Sequence, residues 1–211
     1  MILTPIAEAA LPATLDCFRN SLDDLLSLRI FSRIARPADA VRAEGPLAVE
    51  HLRRASAVAA EHGIAVRPGS PTLDFGWSGE ALRGDTEAYV LLHEIAHFQL
   101  AAPARRHLID FGLGTGPETG DRAAADRAAR LFGVAREAEE ARASLLGILW
   151  EVELGQPALA SFLDQNWLEG AGSVAAANHF ETVVAALHRG GFIDDDGRPT
   201  RRRREDPDPA P

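Results

Sequence analysis

The sequence predicts an α+β fold: a mainly helical single domain with a small sheet early in the chain. Three observations lead there. Apolar residues recur at helical spacing over most of the chain. Alanine, the strongest intrinsic helix former, is dense through the second half. The segments that read as extended, IAVRPG and PTLDFGWSG within residues 64–79, are short and separated by turn residues. With 211 residues and 46% hydrophobic content, one core can form. Residues 1–198 are expected to make that domain, and 199–211 a disordered tail of Arg, Pro and Asp.

Taken in order, residues 6–34 read as helical, with Leu15, Leu22, Leu25 and Ile30 near helical spacing until Pro37 and AEGP break the pattern. LAVEHLRRASAVAAEHG, residues 47–63, is a helix stopped by Gly63. After the two extended segments, Asp85 or Thr86 can cap a helix that ends near Pro103. The glycine-rich DFGLGTGPETGD lacks both GK[ST] and a GxGxxG before a helix, so it is no phosphate cradle. Residues 121–132, 135–154, 157–168 and 173–189 read as further helices.

Bulk properties remove several functions. A formal charge of −9 argues against a nucleic-acid-binding face. No apolar run reaches the roughly 18 residues a bilayer requires, and the N-terminus has no early basic residues to suit a secretory signal. The single cysteine, Cys17, excludes an intramolecular disulfide and a multi-thiolate zinc site. A cytoplasmic enzyme or binding protein is expected. The sequence does not encode its oligomeric state.

The chemistry lies in His93-Glu94-Ile95-Ala96-His97. Histidines four apart on a helix share one face, so both imidazoles can converge on one ion beside Glu94. In this composition, roughly 0.02 accidental HExxH matches are expected. The motif sits among Tyr89, Val90, Leu91, Leu92 and Phe98, and a helix that buries itself needs a reason to hide His-Glu-His. Such a zincin-like helix requires a third ligand. Position 103 is Pro, which rules out a third histidine six residues after the second, and His107 stands ten residues on. Asp110 is a candidate, and so is a glutamate of the run Glu137, Glu139, Glu140. Arg105 and Arg106, close behind the motif, either clamp an anionic substrate or serve the helix end, the role expected for at least one of them, which could pair with Asp110. His179 and His188 read as ordinary helix histidines.

The metal segment resembles the elongation factor P hydroxylases. The match runs without a gap through His93–His97, Ala101, Ala104-Arg105-Arg106, Leu108 and Asp110-Phe111-Gly112. Pro117 follows, then Glu137-Ala-Glu-Glu140, Gly155-Gln156-Pro157 and Asn166-Trp167-Leu168-Glu169-Gly170. The resemblance covers about residues 88–172. Phe98 stands where that family has tryptophan, and Leu113-Gly114-Thr115 replace aromatic residues.

The resemblance implies metal ligands His93, His97 and Glu140, with Glu94 handling protons and Glu137 supporting the ligands from behind. It further implies an oxygen-dependent hydroxylation of a modified lysine side chain on elongation factor P. The cofactor would be one divalent ion, Fe(II) in preference to Zn, with O2 as co-substrate, since two imidazoles and a carboxylate on one face suit non-haem Fe(II) oxygenases. Local positive charge from Arg105, Arg106 and Arg201–Arg204 could greet an acidic protein partner. Two alternatives stand beside this. HExxH with a glutamate-rich helix also fits a zinc-dependent metallohydrolase or peptidase, Glu94 being its general base. A non-catalytic, metal-stabilised binding module is the other.

Overall fold

The computed structural model describes residues 6–68, 75–116 and 119–208. Among them run helices α1 (Leu11–Asn20), α2 (Leu25–Ile34) and α3 (Gly45–Glu61), strands β1 (Ala65–Arg67) and β2 (Ala81–Arg83), and helix α4 (Ala88–Leu100). Helices α5 (Arg122–Ala128), α6 (Gly133–Leu154), α7 (Ala158–Asp164) and α8 (Val174–Arg189) complete the chain. The expected α+β class holds: the fold is mainly helical with one two-stranded parallel sheet, Ala65 opposite Ala81.

Several boundaries differ from the expected ones, for local reasons. Residues 6–34 form two helices because Asp24 caps the second, its carboxylate accepting from the Ser27 N–H at 2.7 Å. The N–H groups of Asp23 and Asp24 meanwhile donate to Glu181 on α8. The second strand lies just beyond PTLDFGWSG, with Trp77 bridged to Leu82; the first residues of that segment fall outside the described ones. Asp85 pairs with Arg83 rather than capping α4, whose N-cap is Glu87. Helix α5 ends early because the Arg130 and Leu131 N–H groups both donate to Gly112 O.

Phe18, Phe31, Phe162 and Phe180 bring α1, α2, α7 and α8 together, with ring centroids 4.9 Å (Phe18–Phe31) to 6.4 Å (Phe31–Phe180) apart. Helix α4 lies between α3 and α6, with Leu91, Leu92, Ile95 and Ala96 fully buried. Gly147 on α6 faces the α4 backbone; a Cβ there would stand 3.1 Å from His93 Cα. The missing side chain lets the two helices close to backbone contact. No helix among the described residues is long and apolar enough to cross a membrane.

Residues 199–208 are not the disordered tail their composition predicts. They form a strap along α4. Fully buried Gln99 donates from Nε2 to Thr200 O (2.8 Å) and Arg202 O (2.9 Å), and Gln99 O accepts from the Arg204 N–H. Gln99 Oε1 accepts the Trp150 indole N–H at 2.9 Å. One buried amide thus gives a polar segment the partners that composition alone cannot foresee. Gln99→Leu leaves these groups without partners and is expected to cost about 2–3 kcal/mol in urea unfolding. It should also open the strap to trypsin at Arg201–Arg204.

Glu151 sits at the other end of α4, 2% exposed. Burial pushes its carboxyl up to about 8. Arg42 stands 4.0 Å away and does not offset this, because its guanidinium is spent on Asp164 (2.7 Å), Ser161 Oγ and the Tyr89 face. The folded chain therefore holds a proton that the unfolded chain has released above about pH 4.5. Stability falls as pH rises from there towards 8, by up to about 1.4 kcal/mol per pH unit, and then levels off. Glu151→Gln should be more stable than the parent at pH 8, with the difference closing by pH 5; melting curves at the two pH values check it.

Candidate metal centre

The site begins with the spacing on α4. His93 and His97 are one turn apart, and their rings meet edge to face with centroids 4.6 Å apart. The two Nε2 atoms are 3.0 Å from each other. From α6, Glu140 brings Oε2 to 3.3 Å from His97 Nε2 and 3.8 Å from His93 Nε2. Among the described residues these three form a group able to hold an ion, with all ligand atoms within 4.8 Å of one another. The point equidistant from the three atoms lies about 2.0 Å from each, a usual metal–nitrogen or metal–oxygen bond length. Two imidazole nitrogens turned toward each other beside a carboxylate oxygen fit a divalent cation.

The electrostatics agree with a position made for positive charge. Burial, then the neighbouring His97, holds His93 down to about 3. Burial also works against charge on His97, but the Glu140 carboxylate, with Glu94 and Glu139 behind it, lifts that ring to about 8. Glu140 is driven up by burial yet held at about 2 by its hydrogen bond and charge interaction with His97. Without metal, a proton on His97 takes the place of the cation between the three groups.

What aims the His97 ring is the IDFG turn. His97 Nδ1 is buried and makes no hydrogen bond among the described residues, whereas metal-bound histidines usually anchor their second nitrogen. Here the ring lies on Phe111, with centroids 5.8 Å apart and planes 22° apart, and Phe111 lies on Trp77 at 5.3 Å and 6°. Asp110 and Phe111 are in the left-handed region, φ 44° and 53°, a conformation costing non-glycine residues about 1–2 kcal/mol each. Asp110 offsets it: its N–H donates to Trp77 O at 3.0 Å, and its carboxylate accepts from Thr119 Oγ1 at 2.7 Å. Burial raises the Asp110 carboxyl above its ordinary range.

Glu94 stands beside the ligands, its carboxylate against Gly76, where a Cβ would lie 3.0 Å from Oε1. Gly76 thus leaves the room that this carboxylate occupies. His93 is 26% exposed at its side chain and Glu140 41%, against 4% for His97. One side of the ligand set is open to solvent and the other is walled by Phe111 and Trp77.

Of the residues singled out in the sequence, His93, Glu94, His97 and Glu140 come together. Glu137 does not join them: it is exposed, and no hydrogen bond or ion pair ties it to the site among the described residues. Its place on the helix turns it away from α4. Its neighbour Glu139, 1% exposed, takes the inward position instead and bonds Arg105 at 2.5 Å. Arg105 is itself buried, donating to Glu139, to Asp208 at 2.6 Å and to Phe111 O at 2.7 Å. Asp110, expected to pair with one of the two arginines, is held by Trp77 and Thr119. Arg106 donates to Phe98 O and Arg204 O and lies over the Phe98 ring. Arg105 therefore serves the fold at the end of α4, and Arg106, half-buried, is tied to the same helix end and to the strap.

His179 stacks on Trp167, His188 bonds Asp195, and His107 is exposed, so none of them joins the centre. Pro117 lies outside the described residues. Trp77 and Phe111 escaped the sequence reading as working residues, although the gap-free DFG match marked the turn that carries Phe111; Glu139 stood among the candidate ligands and instead pairs with Arg105. Comparison with family models, with curated proteins and with solved structures finds no match, and the reading of this centre rests on its own geometry.

Proposed function

We propose that the chain is a non-haem, metal-dependent oxygenase that hydroxylates a side chain of a protein substrate, the reaction implied by its resemblance to the elongation factor P hydroxylases. The observation that carries this reading is the convergence of His93, His97 and Glu140 on one point with a solvent-open side. Fe(II) bound there would supply open coordination positions and electron transfer to O2. Of the four electrons that O2 takes up, two come from the C–H bond that is hydroxylated and two, with two protons, from an external reductant, and the second oxygen atom leaves as water. The protein's part is positional. Phe111 and Trp77 keep water from the His97 side and fix that ring. Glu94, next to the ligands but not one of them, holds or moves a proton.

The resemblance names a lysine-derived side chain as the group that is hydroxylated. Elongation factor P carrying such a side chain is the substrate this reading names, and the cytoplasm is the compartment. A zinc-dependent hydrolase is the second reading, favoured by the seating of Glu94 where a general base would stand.

The test is anaerobic purification with metal analysis, then oxygen uptake after Fe(II) is restored, with modified elongation factor P present. Substrate-dependent uptake and a mass gain of one oxygen atom on the substrate are expected. Bound zinc, no uptake, and a peptide cleavage that disappears in Glu94→Gln would establish the hydrolase instead.

A further inference from the structure

A second site shares α6 with the metal centre but none of its ligands. A cavity of about 440 Å³ is bounded by α6, α8 and the strap, and the side chains of Arg142, Arg189, Arg202 and Arg204 line it. Such a concentration of cations is unexpected in a chain of net charge −9.

These guanidiniums are not all neutralised. Arg204 pairs with Asp208, and Arg105, buried behind the wall, pairs with Glu139 and Asp208. Arg142, Arg189 and Arg202 are in no ion pair among the described residues. Arg142 donates from Nε to Ala138 O of its own helix. Burial, opposed by Glu139 but reinforced by Arg204 and Arg105, lowers the affinity of Arg142 for its proton. Five guanidiniums thus face three carboxylates (Glu139, Asp206 and Asp208), leaving two positive charges over. The remaining wall is apolar: Leu131, Ala135, Ala186 and Phe192. Glu139, on the floor, is 1% exposed, and its Oε1 is buried without a hydrogen-bond partner.

We propose that this cavity is a binding site for a small phosphate monoester, its phosphate held by Arg142, Arg189 and Arg202 and its organic group against Leu131, Ala186 and Phe192. Arginines arriving from three separate elements suit a tetrahedral oxyanion, which offers acceptor lone pairs in several directions, better than a planar carboxylate. The two surplus charges match a phosphate dianion. The volume far exceeds what phosphate alone fills, and the apolar wall gives the excess a use.

Calorimetric titration of the full chain with phenyl phosphate, inorganic phosphate and sulfate at constant ionic strength tests this. Saturable one-to-one binding of phenyl phosphate is expected, tighter than inorganic phosphate by about tenfold because of the apolar wall. Arg189→Ala and Arg202→Ala, both at exposed positions, should each weaken it about tenfold or more without changing the melting temperature. Arg142→Gln should do the same, with thermal melting as its folding control. Metal content should stay at the parent value in all three, since none touches His93, His97 or Glu140. Failure to saturate, equal affinity for sulfate, or binding that survives the arginine substitutions would each overturn the assignment.

Discussion

Glu140→Ala is expected to lose stoichiometric metal while the protein still folds. Its carboxylate supplies one of three converging donor atoms, and the remaining two imidazoles on one turn of α4 are a much weaker chelate. Loss of a residue that only supports a ligand costs roughly 10–100-fold in metal affinity, and loss of a ligand should exceed that. Little stability goes with it, because the Glu140 side chain is 41% exposed and, among the described residues, its ion pairs are with the two histidines. The metal-free variant and the metal-free parent should therefore melt within a few degrees of each other.

Glu137→Ala is the matched control. Its side chain is exposed one turn earlier on α6, so its metal content should be that of the parent. Metal analysis after dialysis, together with melting curves, checks both. A Glu140→Ala protein that keeps one ion per chain would remove Glu140 from the ligand set, whatever the reaction proves to be.

That His93 and His97 share one face beside an acid was legible for physical reasons. Histidines four apart on an apolar helix must share a face, and their position there needs a compensating partner. Choosing among Glu137, Glu139 and Glu140 was harder. Three acids within four positions of one helix point to different sides, and helix rotation relative to α4 is set by packing at Gly147, not by the acids themselves. The resemblance selected Glu140 as ligand but made Glu137 its support. In the fold, Glu139 faces inward, matched to an arginine 34 residues away in sequence.

Short-range signals fared differently from long-range ones. Gly63 ended α3 where its freedom at positive φ was needed, and α6 and α8 appeared close to their expected spans, while α5 and α7 ended about four residues early. The strap failed on composition because Arg, Pro and Asp cannot form a core of their own. They can still lie on one that offers buried partners, and Gln99 and Arg105 supply them. Left-handed Asp110 and Phe111 likewise carry no local signal, since neither residue is glycine. Their conformation is imposed by the stack on His97.

Arg105→Ala should be among the most destabilising single changes in the protein, at about 3–5 kcal/mol, the cost of leaving a buried charge uncompensated. Arg105 is 2% exposed and Glu139 1%, so the substitution strands a carboxylate that already has one oxygen without a partner. Phe111 O and Asp208 lose their donor at the same time. Chemical denaturation gives the magnitude; in melting curves a domain of this size should fall by about 10 °C.

The double variant Arg105→Met/Glu139→Leu separates the cost of stranding a charge from the worth of the pair. Two buried ions replaced by apolar groups of similar volume are often neutral or better, so much of the lost stability should return. If Arg105 instead bound substrate, the single variant would melt normally and fail only in turnover. Asp208→Ala, at the 24% exposed end of the same network, should cost far less, because water can replace that carboxylate but cannot reach Glu139. Arg105→Ala far less stable than both the double variant and Asp208→Ala would mark Arg105 as the residue joining strap, α6 and the IDFG turn. Through Phe111 it also steadies the ring of His97.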